Sequence, residues 1–333
     1  MNQLVLHLLC YMLLIPGSLV LFFHSFIPWH YLGLFLVIVV LEHLSNELYR
    51  LLILYKKPLQ SSVLMFLKSA FWVFCLPVTW LFFDLKFELV FYCWVIGLLA
   101  ALVFGAYALR PQFKFKWTRK PVDIKWILQG VNKAIPFFAS TLLLKVIEYS
   151  NRYFIDIFYG KETVGVFTFY SSFANVLSTV IFTLVIMLQY PQLLESFNSS
   201  DFANRALLQR KMLKDTVSLT LIATPVIVLC VGIFVSMYKN AAYAEDFPLF
   251  LILILANIFV CVNYATHYIL YAQNKDARLL QSYLAGSAIT FLLCVALVPQ
   301  FGGYGAAVAT LSGFVTLCTF QFYFIDSWQS ESE

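Results

Sequence analysis

Four ionisable residues stand inside one apolar stretch, Pro136–Tyr159 (PFFASTLLLKVIEYSNRYFIDIFY): Lys145, Glu148, Arg152 and Asp156. Their spacing of three, four and four puts them at about 0°, −60°, −20° and +20° on a helix, an arc of roughly 80°. Thr141 and Tyr149 share the stripe. The stretch is long enough to span a bilayer. A charge at the centre of such a helix costs about 2.5–3.5 kcal/mol, so four facing lipid would cost on the order of 10 kcal/mol. They must therefore face protein or a water-filled cavity. Two arrangements satisfy that. In one, the stripe is a cavity wall where Lys145 and Arg152 meet phosphate oxygens, with Glu148 and Asp156 beside them. In the other, Lys145–Glu148, Glu148–Arg152 and Arg152–Asp156 form a self-neutralising ladder that pins helices together.

A second set lies earlier. The stretch His30–Leu54 carries Glu42, His43, Asn46, Glu47 and Arg50. Glu42 and Asn46 share a face near mid-membrane. A carboxylate beside a histidine at that depth could carry protons or exchange a cation for coupled transport. The structural alternative makes Glu47–Arg50 an interfacial pair and His43 a satisfied core residue. Lys68 sits about eight residues from the end of its own apolar run, where it can touch an anionic substrate or snorkel to the interface. Asn263 and His267, one turn apart, read as helix–helix contacts more than as ligands.

The elements that must hold these residues are membrane helices. Of 333 residues 62% are hydrophobic and 12% charged, and the mean hydropathy is +0.83, which excludes a soluble globular domain. The expectation is an all-α polytopic membrane protein of about ten spans: Leu4–Phe23, His30–Leu54, Gln60–Phe83, Glu88–Leu109, Pro136–Tyr159, Val164–Leu188, Thr216–Tyr238, Phe247–Gln273, Leu279–Val298 and Tyr304–Ile325. No Lys or Arg precedes the first apolar run, so a cleaved signal peptide is not expected. With the N-terminus inside, sixteen Lys and Arg fall in inner segments against three (Lys86, Lys161, Lys239) in outer loops. The positive-inside rule then puts both termini in the cytoplasm. The net charge of +5 is this loop asymmetry and not a nucleic-acid signature.

Four spans (1–109) precede a basic, aromatic linker (110–135), six follow it (136–325), and a short tail (326–333) closes the chain. The linker and the basic amphipathic NRALLQRKMLKD, between Pro191 and Asp215, suit anionic lipid headgroups or plain inner loops. The seven cysteines lie in apolar runs with no C-x-x-C pair or Cys/His cluster, so they read as small buried hydrophobes, with no metal or disulfide framework. Gly302, Gly303 and Gly305 read as a tight outer turn and do not follow a strand, so no phosphate-binding loop or cofactor is expected.

Two hairpins repeat. Ile53-Leu54-Tyr55 matches Ile269-Leu270-Tyr271 at an offset of 216, and Ser69-Ala70 matches Ser287-Ala288 at 218. Duplicated transporter halves produce such matches. Equivalent halves would leave the first short by about 80 residues, two spans.

Three features then carry a resemblance. A helix ends in Arg152-x-x-Ile155-x-x-Phe158-x-Gly160; the next begins Gly165-Val166-Phe167 and is followed by Pro191-Gln192-Leu193; and Phe301–Gly313 reads FGGYGAAVATLSG. The chain resembles the polysaccharide-repeat (O-antigen, lipid-linked oligosaccharide) flippases of the multidrug/oligosaccharidyl-lipid/polysaccharide exporter superfamily over most of Ala134–Ile325. The resemblance weakens over Met1–Leu109, and the first two family helices are unmatched. It implies pseudo-repeat halves around a central cavity in a bacterial inner membrane. It also implies ion-coupled alternating access that flips polyprenyl-pyrophosphate-linked oligosaccharide. Lys145, Arg152, Glu148, Asp156 and Lys68 would line the cavity, and Glu42 or His43 would couple the ion. The partners implied are the lipid-linked sugar, anionic lipids and other polysaccharide-assembly membrane proteins. A drug/cation antiporter of the same superfamily, a membrane enzyme of the pathway and a non-transporting remnant are the alternatives. The enzyme is disfavoured because the short outer loops hold no catalytic cluster; Asp84–Glu88 and Glu245–Asp246 are their only acidic groups of note.

Overall fold

In the computed structural model the described residues are 2–23, 27–55, 57–80, 87–112, 122–199, 202–238 and 241–330. The basic core of the linker (113–121), Asp84 to Lys86, Lys239 and residues 331–333 lie outside them. Among the described residues every regular element is helical. The protein is an all-α polytopic membrane protein. Its spans bury their backbone polar groups in their own hydrogen bonds, the solution a bilayer demands of a chain without a barrel.

The chain divides into two compact units, Met1–Leu128 and Gln129–Glu333. The first holds α1 (Asn2–Phe23), α2 (Leu32–Leu54), α3 (Pro58–Ser69), α4 (Phe71–Trp80) and α5 (Phe87–Leu109). Leu52, Leu64, Ala101 and Leu109 form its core. The second holds most of α6 (Ile124–Ile181), then α7 (Met187–Asn198), α8 (Phe202–Tyr238), α9 (Ala241–Glu245), α10 (Phe247–Ala272) and α11 (Asp276–Ser330). Large apolar side chains such as Leu54, Val103 and Met237 stand on the outside, more than 70% exposed. That is the expected state of a surface that meets lipid tails.

Among the described residues, by length and apolar character, six helical runs can cross a bilayer, or seven if a bent pair counts as one. The difference from ten spans has physical causes; the first is that the apolar stretch of α1, Val5–Val20, is too short to count. The bent pair is α3 and α4, one expected span broken by 41°. Two runs, of 64 and 50 residues, each contain a tight reversal with no intervening loop. The backbone turns at Gly160 (φ 79°) and Gly302 (φ 54°), left-handed conformations that glycine adopts without a Cβ clash. On either side of Gly160, Arg152 bonds Thr168 and Ser171, so the two arms of α6 run side by side. The α11 arms approach as closely at Gly313 and Gly286.

The linker is shorter than its composition suggests. Helix α6 begins at Ile124, twelve residues before Pro136, and Pro136 lies within it. The amphipathic NRALLQRKMLKD is no separate surface helix but the start of the 37-residue α8. All seven cysteines are free thiols; four are buried, while Cys10 and Cys230 are exposed and Cys75 intermediate, which corrects the reading of all seven as core.

Candidate functional site

The charged stripe opens onto a cavity of about 270 Å³ inside the second unit. The first arm of α6 contributes Lys145, Glu148, Tyr149, Asn151 and Arg152. Its second arm contributes Phe167, Ser171, Asn175, Ser178 and Thr179, and α10 and α11 add Asn257, Tyr264 and Thr310. The α6 reversal is what positions the site, because it lays one polar face on another.

Of the three rungs of the possible ladder only one forms. Lys145 Nζ meets Glu148 Oε2 at 2.6 Å. Arg152 instead donates to the Glu148 carbonyl (2.6 Å), Thr168 Oγ1 (3.2 Å) and Ser171 Oγ (2.8 Å). Its guanidinium also lies 5.1 Å from the Tyr149 ring and 5.7 Å from Phe167. Among the described residues no carboxylate forms an ion pair with it. Neutral oxygens and aromatic faces hold a guanidinium in place without cancelling its charge. Asp156, expected on the same wall, is exposed one turn further on and does not line this cavity. The pitch explains the loss: Asp156 lies about 6 Å of helical rise beyond Arg152, beside the Gly160 turn.

The remaining polar lining is neutral and tied to neighbours. Asn151 Nδ2 donates to Thr310 Oγ1 at 3.0 Å, and Asn257 Nδ2 to the Leu253 carbonyl at 3.2 Å. The Asn257 Oδ1 is buried with no protein partner. A smaller cavity of about 140 Å³, walled by Phe137, Thr141, Phe182, His267 and Tyr283, shares Tyr264 with the first. Phe182 opens a π-helical turn, Phe182–Ile186. His267 accepts from or donates to Tyr283, and Asn263 bonds Gln321, so both tie α10 to α11.

Sequence reasoning missed Ser171, Asn175, Ser178, Thr179 and Asn257. Uncharged residues raise no energetic alarm in an apolar helix. The detectable signal was their spacing: Ser171, Asn175, Ser178 and Thr179 share one helical face.

In the first unit, two residues expected to serve different ends meet. Lys68, read as a substrate contact, is 7% exposed. Its Nζ lies 2.6 Å from Glu42 Oε1 and 2.6 Å from Asn46 Oδ1. Snorkelling gives way to a partner at the same depth. Glu42 Oε2 is buried without a partner. Adjacent helix residues diverge by about 100°, so His43 does not join Glu42. It faces α1, where Tyr11 and His7 contact it.

No protein-family model matches this sequence, and no characterised protein matches it by sequence. Solved structures do match the fold. An outward-facing multidrug resistance MATE family transporter of the MOP superfamily superposes with a TM-score of 0.76, over 98% of this chain and 77% of that one, at 13% identity. A Vibrio cholerae MATE transporter gives 0.75 over 97% and 76%, also at 13% identity. An inward-facing MATE transporter of the MOP superfamily gives 0.68 over 98% and 79%. The fold is the MATE transporter fold. Identity at this level carries architecture alone.

Proposed function

We propose that this chain is a secondary exporter that moves an anionic amphiphile across a bilayer by alternating access. Polyprenyl-pyrophosphate-linked oligosaccharide is the substrate class favoured. The observation that carries the reading is Arg152: a guanidinium fixed in a cavity wall by neutral acceptors and rings, with no carboxylate among the described residues paired to it. Lys145 and Glu148 cancel, so the ionic groups of the wall sum to one positive charge. Such a wall attracts a pyrophosphate and repels an organic cation. The fold supports the transport half of the reading, because it matches relatives in both outward-facing and inward-facing states. In this reading the membrane is a bacterial inner membrane with both termini in the cytoplasm, and Glu42 is the coupling group. Protonation of Glu42, or a cation on its unpartnered oxygen, would loosen its hold on Lys68. His43, on another face of α2, takes no part in that exchange.

A second reading, a drug/cation antiporter, is favoured by the fold shared with multidrug resistance transporters. One experiment separates them. The full chain in proteoliposomes is given a fluorescent polyprenyl-pyrophosphate oligosaccharide or a cationic dye, each with an imposed proton or sodium gradient. Gradient-dependent movement of the pyrophosphate lipid, lost in Arg152→Ala with the protein still folded, is expected. Dye export with no lipid movement selects the antiporter, and movement of neither removes both.

A further inference from the structure

Outside the cavities above, one cluster of ligating side chains stands apart. His7 on α1 and His43 and Glu47 on α2 each place a ligand atom so that all three lie within 4.8 Å of one another. We propose that these three residues bind a divalent first-row transition ion, with zinc as the probe. The proposal is independent of what the protein transports.

The chemistry fits that ion class. Two imidazoles and one carboxylate are borderline donors, suited to zinc, nickel, cobalt or copper and ill-suited to calcium or magnesium, which take oxygens. Ligands at about 2.1 Å from zinc lie about 3.4 Å apart in a tetrahedron. The present separations, at most 4.8 Å, therefore close by no more than about 1.4 Å when an ion enters, a shift within side-chain rotation. His43 and Glu47 are four residues apart, on one face of α2. The His7 and His43 rings meet edge to face at 4.6 Å. All three residues are partly buried, so solvent does not fully screen the site and an ion can still enter.

An imidazole ligates through one nitrogen and hydrogen-bonds through the other. Tyr11, one turn after His7, already holds Nδ1 of His43; that assigns Nε2 to the ion. Glu47 Oε1 also meets Arg50 at 2.8 Å, but the Arg50 side chain is 68% exposed. Exposed pairs contribute little, and a carboxylate accepts at both oxygens, so Arg50 does not hold Glu47 against a metal.

The location gives the site something to do. Helix α1 stands off α2 across an apolar groove of about 520 Å³, lined among others by Tyr11, Leu14, Phe35 and Val39. At one end Phe22 packs edge-to-face on Phe35 and at a tilt on Trp29, ring centroids 5.5 and 5.6 Å apart. At the other end stand His7, Tyr11 and His43. An ion there clips α1 to α2 and fixes the width of the groove.

The test uses the full chain in detergent, stripped with EDTA and desalted. Zinc is titrated against a chromophoric chelator, and cobalt is added to read its visible d–d absorption. One site per chain is expected, with tetrahedral-type cobalt intensity. Glu47→Gln, which keeps size and shape, and His7→Asn should each weaken zinc at least about tenfold, while His30→Gln, in an exposed turn, leaves it unchanged. Zinc should raise the melting temperature of the parent chain and not of Glu47→Gln. Binding weaker than about 0.1 mM in the parent chain, or parent-like affinity in both variants, overturns the proposal. If His7→Asn fails to fold, Glu47→Gln and the cobalt spectrum decide.

Discussion

The two units solve the same closing problem with the same lysine. In the first, the Lys57 amide bonds the Leu52 carbonyl and its ammonium donates to the Ala108 carbonyl at 2.8 Å. In the second, the Lys275 amide bonds the Leu270 carbonyl and its ammonium donates to the Phe324 carbonyl at 3.0 Å. Each lysine ends a hairpin and reaches a carbonyl late in the final apolar helix of its own unit: Ala108 in the last turn of α5, where carbonyls lack partners and the helix dipole is negative, and Phe324 six residues before the end of α11. The backbone bonds correspond at an offset of 218. That is the offset of Ser69-Ala70 and Ser287-Ala288, so the Ile-Leu-Tyr match at 216 is two residues out of register. Close helix approach recurs too: a Cβ on Gly97 would lie 2.8 Å from the Leu67 carbonyl, and one on Gly313 1.8 Å from Thr290 Oγ1.

What differs is the polar load in the middle. The first unit holds a Lys68–Glu42 ion pair with the lysine buried. The second buries an uncharged set, in which Gln321 accepts from Asn263 and Thr266, and Tyr283 touches Asn263 and His267. The ion pair carries a charge-dependent state that the neutral set lacks. A shared hairpin scaffold that carries an ion pair in one unit and an uncharged network in the other is the lesson of the pair.

The sharpest way to break that contrast is Lys68→Met. It leaves the half-buried Glu42 and Asn46 without their shared cation, at a cost of up to about 3 kcal/mol, whereas Lys68→Met with Glu42→Leu should recover most of it. Equilibrium unfolding in mixed detergent reads both; a loss under 1 kcal/mol for the single change would make the two units equivalent. Next comes Gly313→Ala, whose methyl overlaps Thr290 Oγ1, at about 2 kcal/mol. Adding Thr290→Ala should return part of that stability, and no return would place the conflict elsewhere. Lys57→Met and Lys275→Met test the shared feature. Each removes a charged donor from a carbonyl, so each should cost about 1.5 kcal/mol, and losses differing by more than that would deny the equivalence. Smallest is Arg50→Ala, where thermal unfolding should move by less than about 0.5 kcal/mol because the pair with Glu47 is exposed.

Much of this was legible. Hydropathy marked the helical runs, and the price of charge in lipid singled out Lys145, Glu148 and Arg152, which do line one cavity. The partners were not legible. Charge alone pairs Arg152 with Glu148 or Asp156, but the Gly160 reversal brings Thr168 and Ser171 within reach first. Lys68 and Glu42 lie 26 residues apart, and only the α2–α3 hairpin makes them neighbours. His7 and His43 are hidden in the same way, since a metal set split between two helices leaves no local spacing to read. The 216 register misled because three similar residues outweigh a backbone pattern the sequence does not display.

The tight contact at Gly313 also limits how the protein can move. A one-turn slide of the two arms of α11 past each other would bring Thr290 opposite Ala309 or Leu317, each with a Cβ where Gly313 has none. Ratcheting is therefore barred in this hairpin, and it can only travel as a strut. Among the described residues, the helical ladder is interrupted at the 41° break between α3 and α4 in one unit and at the Phe182–Ile186 π turn in the other, so bending is easier there than in the α11 hairpin.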